Sequence, residues 1–166
     1  MKTIKISLVA VMLIVSQLVS AQSKSYKLYD TFSNKAGFTH FSFSRSMLDV
    51  VNIDLDEEEK TITGDLNEIR FLSYNPHKGD LNGPIFIKKA IALLPQAYDQ
   101  LKLKDNEEED IEIWMLGNKR KASEFHLFIQ SEDPNGMHFL ISFYGEFNLE
   151  DVDCITKIGI NLSNEN

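Results

Sequence analysis

Three consecutive strand-like segments in residues 111–147 constrain the fold more than any other part of this sequence. Ile111–Leu116, Ala122–Gln130 and Met137–Phe147 are rich in β-branched and aromatic residues, and their large apolar side chains fall mostly at alternate positions. Such alternation is typical of strands that bury one face. The connections between them contain Gly, Asn, Asp and Pro, which favour tight turns. The stretch therefore predicts a three-stranded antiparallel meander.

The register of this meander can be predicted because its apolar side chains have to share one face. Pairing Leu127 with Phe139 across the second hairpin, and Ile113 with Phe125 across the first, achieves this. A slip by one residue would mix the two faces, so burial selects against it. The resulting core face comprises Ile111, Ile113, Met115, Phe125, Leu127, Ile129, Met137, Phe139, Ile141 and Phe143.

The opposite face, called the mixed face below, comprises Glu112, Trp114, Glu124, His126, Phe128, His138, Leu140, Ser142 and Tyr144. One interpretation is an ordinary solvated face, which antiparallel sheets often have. A second is a recognition surface for an unknown envelope protein or a second copy of the chain, because Trp and Tyr concentrate binding energy. A third is that the N-terminal helix or the loop at 75–83 covers it. The candidate binding residues are Trp114, His126, Phe128, His138, Tyr144, Glu112 and Glu124.

A metal site on the mixed face is the alternative to a binding surface. The predicted register places His126 and His138 diagonally on adjacent strands, within side-chain reach. With Glu112 or Glu124 they would form an open zinc site, as in a metal-dependent hydrolase. The sequence has no phosphate-binding glycine loop, no His-Glu-x-x-His, no Gly-x-Ser-x-Gly and no Cys-x-x-Cys. We therefore expect a non-catalytic binding domain without a cofactor, and keep the hydrolase as the alternative.

The first 21 residues have the organisation of a secretory signal peptide. Two lysines precede a short apolar run at residues 6–19, and small residues follow up to Ala21. We expect cleavage before Gln22 and export to the periplasm or the medium as a single α+β domain, residues 22–166. The apolar run is short for a membrane span, so no transmembrane anchor is expected in the mature chain.

The mature chain is expected to be strongly acidic. Loss of Lys2 and Lys5 leaves 15 basic residues against 25 acidic ones, a net charge of −10. This balance argues against nucleic acid as a partner, because nucleic-acid binders present basic surfaces. The acidic runs Asp54–Glu59 and Glu107–Asp110 lack the spacing of a calcium loop and are interpreted as solvated. Cys154 is the only cysteine, so no intramolecular disulfide can form, and we expect a small buried side chain there.

Two further strands and the meander define the predicted fold class. Alternating apolar residues predict strands at Phe38–Ser44 and Glu68–Tyr74. Together with the helices they give an α+β domain with a mostly antiparallel sheet of about five strands. The helices are expected to pack mainly on one face of that sheet.

Helical periodicity predicts three helices. The first spans residues 23–35 and is ended by Gly37, and the second spans Pro84–Leu103. Pro95 is expected to kink or split the second helix, whose apolar stripe should lie on the core face. The third begins with a capping box at residues 148–151 and ends at Gly159.

Four segments carry a resemblance to a known family: 20–22, Gly37–Met47, Ala122–Leu127 and Gly145–Val152. Through them the chain resembles an exported family of Bacteroidota, domain of unknown function 4252, over most of its mature length. The resemblance implies a cell-envelope protein and carries over no catalytic residues. Relatives are often lipid-anchored, whereas no cysteine follows Ala21 at the expected cleavage site here.

Overall fold

The structure, a computed structural model, describes residues 25–47, 65–102, 111–118 and 120–164. Within these ranges, six strands form one antiparallel sheet in the order β1-β2-β6-β5-β4-β3. The strands are β1 (Phe38–Ser44), β2 (Asp65–Tyr74), β3 (Tyr98–Leu101), β4 (Ile111–Gly117), β5 (Lys121–Ile129) and β6 (His138–Asn148). The helices are α1 (Tyr26–Phe32), α2 (Gly83–Ile91) and α3 (Val152–Asn164), with short 3₁₀ turns at Pro76–Lys78 and Leu149–Asp151.

Several sequence predictions concern residues outside these ranges. They are the signal peptide with its cleavage before Gln22, and the acidic runs Asp54–Glu59 and Glu107–Asp110. The side chain of Cys154 also lies outside the described part of the molecule.

The predicted α+β class with a mostly antiparallel sheet is confirmed, but the strand number is not. The sixth strand, β3, comes from the second half of the predicted helix Pro84–Leu103. Helix α2 ends at Ile91, and Tyr98 N–H then donates to Pro95 C=O at 3.1 Å in a turn that leads into β3. Pro95 lacks the N–H that a continuing helix needs, so the chain turns there and pairs with β4.

The predicted register of the meander is wrong by two residues in both hairpins. Leu127 pairs with Ile141 instead of Phe139, and Ile113 pairs with Leu127 instead of Phe125. A shift of two residues keeps every side chain on its face, so the apolar pattern cannot detect it. The turn between β5 and β6 is also longer than predicted, spanning residues 130–137.

Helix α3 is longer than predicted. The capping box of Asn148 and Asp151 is confirmed, and Val152 and Ile155 are buried as expected. Gly159 does not end the helix, which continues to Asn164. A Cβ at Gly159 would lie 2.5 Å from Leu127 Cδ2, so this glycine allows close packing of α3 on the sheet.

Helices contribute to the apolar clusters on both faces of the sheet, two of them to the mixed face and one to the core face. Val152 and Ile155 of α3 join the cluster of the core face. Residues of α1 and α2, such as the buried Leu28 and Phe86, join the cluster of the mixed face. The prediction that the second helix covers the core face is therefore wrong. Phe128 and Leu140 are the meander residues fully buried in this cluster.

The strand β1 and the turn before it are confirmed. Gly37 has a φ of +83°, in the left-handed region that glycine adopts without steric cost. The chain reverses there, after α1 has ended at Phe32, and β1 begins at the predicted residue Phe38. This reversal places α1 back over the sheet.

Candidate functional site

A buried polar network lies between α1 and the mixed face, with the carboxylate of Glu124 at its centre. Glu124 Oε2 accepts hydrogen bonds from Ser25 Oγ at 2.9 Å and from Tyr98 OH at 2.7 Å. Only 6% of Glu124 is exposed, so these donors replace the water lost on burial. Ser25 Oγ also lies 3.0 Å from the hydroxyl of Tyr144, the β6 residue opposite Glu124. One carboxylate thus ties α1 to β3 and β5.

His126 continues the network along the same face, because residues two apart on β5 share a face. Its Nδ1 lies 2.7 Å from Ser142 Oγ, which stands directly opposite on β6. Ser142 Oγ accepts a hydrogen bond from Tyr29 OH of α1 at 2.6 Å. His126 and Ser142 are both fully buried. The imidazole is therefore connected to α1 through a single serine hydroxyl.

The two ring nitrogens of His126 face different partners. Nδ1 contacts Ser142 Oγ, which is also hydrogen-bonded to Tyr29 OH. Nε2 faces Glu124 Oε2 at 3.4 Å without the geometry of a hydrogen bond. Burial lowers the pKa of His126 below its usual value, because lost hydration of the imidazolium outweighs the attraction of Glu124.

A second polar contact fastens α1 to β2. The carboxylate of Glu68 accepts hydrogen bonds from Tyr26 OH at 2.9 Å and from Arg70 Nε at 2.8 Å. The guanidinium of Arg70 stacks 3.6 Å from the centroid of the Tyr26 ring. Burial, with the Glu68 carboxylate, raises the pKa of Tyr26, so its hydroxyl stays a donor. We call the surface that receives α1, formed by Glu68, Arg70, Glu124, His126, Ser142 and Tyr144, the α1 site.

The order Glu124, His126, Ser142 has the elements of nucleophilic catalysis, a carboxylate, a base and a hydroxyl. Neither His126 nor Ser142 has exposed surface. Ser142 Oγ is also engaged by Tyr29, so the docked helix keeps a substrate away from it. In this arrangement the three groups fasten a helix to a sheet.

The structure divides the seven predicted site residues into three groups. Glu124, His126 and Tyr144 meet in the network described above. Trp114 and Phe128 belong to the apolar cluster under α1 and α2, where the Nε1 of Trp114 is buried and lacks a hydrogen-bond partner among the described residues. The remaining two, His138 and Glu112, lie elsewhere on the face.

His138 is buried beneath α2. A Cβ at Gly83 would overlap its imidazole ring, so the first residue of α2 packs directly on the histidine. Its Nδ1 accepts a hydrogen bond from Ser131 N–H at 3.3 Å. Burial lowers the pKa of His138, so the neutral form is favoured. This histidine belongs to the packing of α2 and not to the network.

The structure does not assemble the predicted zinc site. His126 pairs with Ser142, four residues along β6 from His138, which separates the two histidine backbones by roughly 13 Å along the strand. Glu112 pairs with Phe128 and accepts a hydrogen bond from Gln100 Nε2 at 3.1 Å. No group of three or more metal-ligating side chains occurs within the described ranges. The two-residue register error brought His126 and His138 closer in prediction than they are.

Four members of the network were not selected from the sequence: Ser25, Tyr29, Tyr98 and Ser142. Ser142 was placed on the mixed face but not chosen, although it alternates with Tyr144 there. Ser25 and Tyr29 are four residues apart, a spacing that puts both hydroxyls on one side of a helix and could have indicated a polar contact. Tyr98 could not have been found, because its segment was predicted to be helical.

The comparisons with known proteins identify a family and nothing closer. No curated protein and no solved structure matches the chain. None of the helices in the described part is long and apolar enough to cross a membrane. The family model described as "Domain of unknown function (DUF4252)" matches residues 29–154, which include the sheet and the whole α1 site. The chain therefore belongs to the DUF4252 family.

Proposed function

We propose that this chain is a non-catalytic binding domain of the cell envelope, and that the α1 site is where it binds. Its ligand would be a helical segment with the chemistry of α1, an apolar stripe beside tyrosine and serine hydroxyls. In the structure α1 itself fills the site. Export to the periplasm or the medium is part of the proposal and is supported by the signal-peptide pattern of residues 1–21.

The observation that carries the proposal is the specificity with which the sheet receives α1. Three hydroxyls of the α1 segment, those of Ser25, Tyr26 and Tyr29, each bond a polar side chain of the sheet. Ser25 occupies the N-cap position, where its hydroxyl would normally cap the helix, yet it makes no capping bond and binds Glu124. Such matched polar contacts, beside buried apolar ones, are characteristic of recognition sites.

Apolar side chains form the other part of the contact between α1 and the mixed face. Leu28 and Phe32 of α1 are buried in the cluster that includes Phe86 of α2. The rings of Phe32 and Phe86 meet edge to face, with centroids 5.3 Å apart. We therefore expect the site to bind a helix with an apolar stripe in preference to a polar helix.

A peptide titration tests this proposal. In the full chain, Leu28→Asp places a charge in the apolar cluster and should lift α1 from its site. A synthetic peptide with the sequence of residues 25–33 is then added, and the indole N–H resonance of Trp114, the only tryptophan, is followed by NMR. We expect a saturable shift. The control is Lys27→Asp, an exposed position of the same helix, which should leave the site filled and the resonance unmoved.

Folding of the Leu28→Asp chain is established first by far-UV circular dichroism and cooperative unfolding. A folded Leu28→Asp chain whose Trp114 resonance shows no saturable response to the peptide would contradict the proposal. The structure gives no support to the alternative, a metal-dependent hydrolase, because its predicted ligands His126, His138 and Glu112 do not meet.

A further inference from the structure

We propose that protonation of His126 releases α1, so that mild acid opens the α1 site. This inference rests on the proposed function and concerns the regulation of the same site. The imidazole lies fully buried on the sheet beneath α1. Each of its nitrogens faces a side chain that holds the helix: Ser142, bonded to Tyr29, and Glu124, bonded to Ser25.

Protonation would change the hydrogen bonds that connect His126 to the helix. An imidazolium carries a proton on each nitrogen, so Nδ1 can only donate to Ser142 Oγ and can no longer accept from it. The proton of Ser142 then needs an acceptor other than His126, and Ser142 Oγ also lies 2.6 Å from Tyr29 OH of α1. The polar contact of α1 with Ser142 therefore depends on the protonation state of His126.

The charge itself favours release of the helix. A buried imidazolium is costly unless it is paired and hydrogen-bonded. Its nearest carboxylate, Glu124, lies 3.4 Å from Nε2 without hydrogen-bond geometry and already accepts bonds from Ser25 and Tyr98. Lifting α1 lets water reach the ring. Because α1 is short, its local opening should cost less free energy than global unfolding.

The sign of the pH dependence follows from the lowered pKa of the docked histidine. Between that pKa and the ordinary value near 6.5, the exposed imidazole binds a proton and the docked one does not. Docking of α1 is therefore strongest above about pH 6.5 and weakens as the pH falls through this window. A decrease from about pH 7.5 to 5.5 should weaken docking by at most about tenfold, the limit set by one histidine.

Other titratable groups also lie around the ring. Tyr98 of β3 and Tyr144 of β6 face His126 with ring centroids 5.3 and 6.0 Å away. Burial raises the pKa of Tyr144, and raises that of Tyr29 on α1 well above its usual value, so both stay neutral in this window. On β2, Arg70 is paired with Glu68. The carboxylates of Glu124 and Glu68 also hold the α1 segment, so their contribution has to be separated by experiment.

Hydrogen–deuterium exchange of the α1 amides in the full chain tests the inference. Protection of α1, corrected for intrinsic exchange, is measured at about pH 7.5 and 5.5. Wild type should lose protection severalfold at the lower pH. His126→Gln, which cannot titrate, should show no change beyond about twofold. Persistence of the wild-type pH response in His126→Gln would assign it to another group that contacts α1, such as Glu124, Glu68 or His40, and would overturn the proposal, as would a flat wild-type profile.

His40→Gln is the matched control. His40 also faces α1, with its ring centroid 5.1 Å from that of Tyr29, and partial burial lowers its pKa as well, but its side chain is exposed. This variant should respond to pH as wild type does. If His126→Gln fails to fold, the pKa of His126 is measured instead, by NMR titration of the wild-type chain and of the Leu28→Asp chain. Its pKa should rise toward about 6.5 when Leu28→Asp lifts α1, and an unchanged pKa would contradict the proposal.

The two proposals fail separately. Exchange of α1 requires no ligand and reports only helix docking, whereas the peptide titration reports binding at the α1 site. Release of α1 in acid without peptide binding would leave the pH response standing and contradict the proposed function. Peptide binding without a pH response would support the proposed function and contradict the release of α1 in acid.

Discussion

Glu124 shows how one residue can fasten several elements together. Its carboxylate collects hydroxyl donors from α1 and β3, and it is buried almost completely. Hydrogen bonds to a charged group are stronger than neutral ones, and removing the acceptor leaves buried donors without a partner. The residue type alone does not predict this role, because Glu112 lies on the same face and is only partly buried.

We predict that Glu124→Ala lowers the free energy of unfolding by about 2–3 kcal/mol, because Ser25 and Tyr98 lose a charged acceptor. Glu112→Ala is the matched control, since its hydrogen bond to Gln100 is exposed, and should cost no more than about 0.5 kcal/mol. Chemical denaturation of both variants provides the values. Equal losses would show that Glu124 is not the centre of a buried network.

Much of the residue-scale prediction rested on the period of two in strands. That period places Glu124, His126, Ser142 and Tyr144 on one face whatever the register, so the composition of the mixed face was available from the sequence. The distances between these residues along the strands could not be predicted from the sequence. His126 and His138 share the face as predicted, yet the true register separates them, because a two-residue slip leaves the apolar pattern unchanged.

At the scale of elements, β3 and α2 show that a local apolar pattern can fail to predict secondary structure. The apolar spacing of Pro84–Leu103 suits one long helix, but the chain pairs Tyr98–Leu101 with β4 instead. That pairing depends on a partner strand distant in sequence, which outweighs local helix propensity. Pro95 correctly indicates that the helix is interrupted, but α2 already ends at Ile91, and a strand follows the proline instead of a second helix.

The packing of α2 on His138 gives a second prediction. Gly83→Ala should destabilise the protein by about 1–3 kcal/mol, because the new methyl group overlaps a buried imidazole and overpacks the contact. Ile85→Ala on the same helix, at a side chain 46% exposed, should change stability by less than about 0.5 kcal/mol. Thermal unfolding of the pair checks this. A neutral Gly83→Ala would mean that α2 does not pack on the ring.

At the scale of the whole molecule, both faces of the sheet carry helices, and this could not be read from a strand pattern. The core face can be predicted from the sequence, because its strands carry apolar residues at alternate positions throughout. The mixed face is half polar, and whether water, a partner or a helix covers it depends on contacts between α1 and strands up to 119 residues away. The sequence permitted all three outcomes.

Export is a prediction for the whole chain. The signal-peptide pattern of residues 1–21 predicts that the exported protein begins at Gln22. Intact mass spectrometry of the protein recovered from the periplasm or the medium should show the loss of the first 21 residues. A retained leader, or the added mass of a lipid, would contradict this.

The central claim is that α1 is held on the mixed face by specific hydrogen bonds, and a double-mutant cycle between Tyr29 and Ser142 tests it most directly. The two hydroxyls lie 2.6 Å apart across the contact. Tyr29→Phe, Ser142→Ala and the double variant are compared by their free energies of unfolding. We predict a coupling of about 1 kcal/mol. Losses that add to within about 0.3 kcal/mol would contradict the docking of α1 on this face.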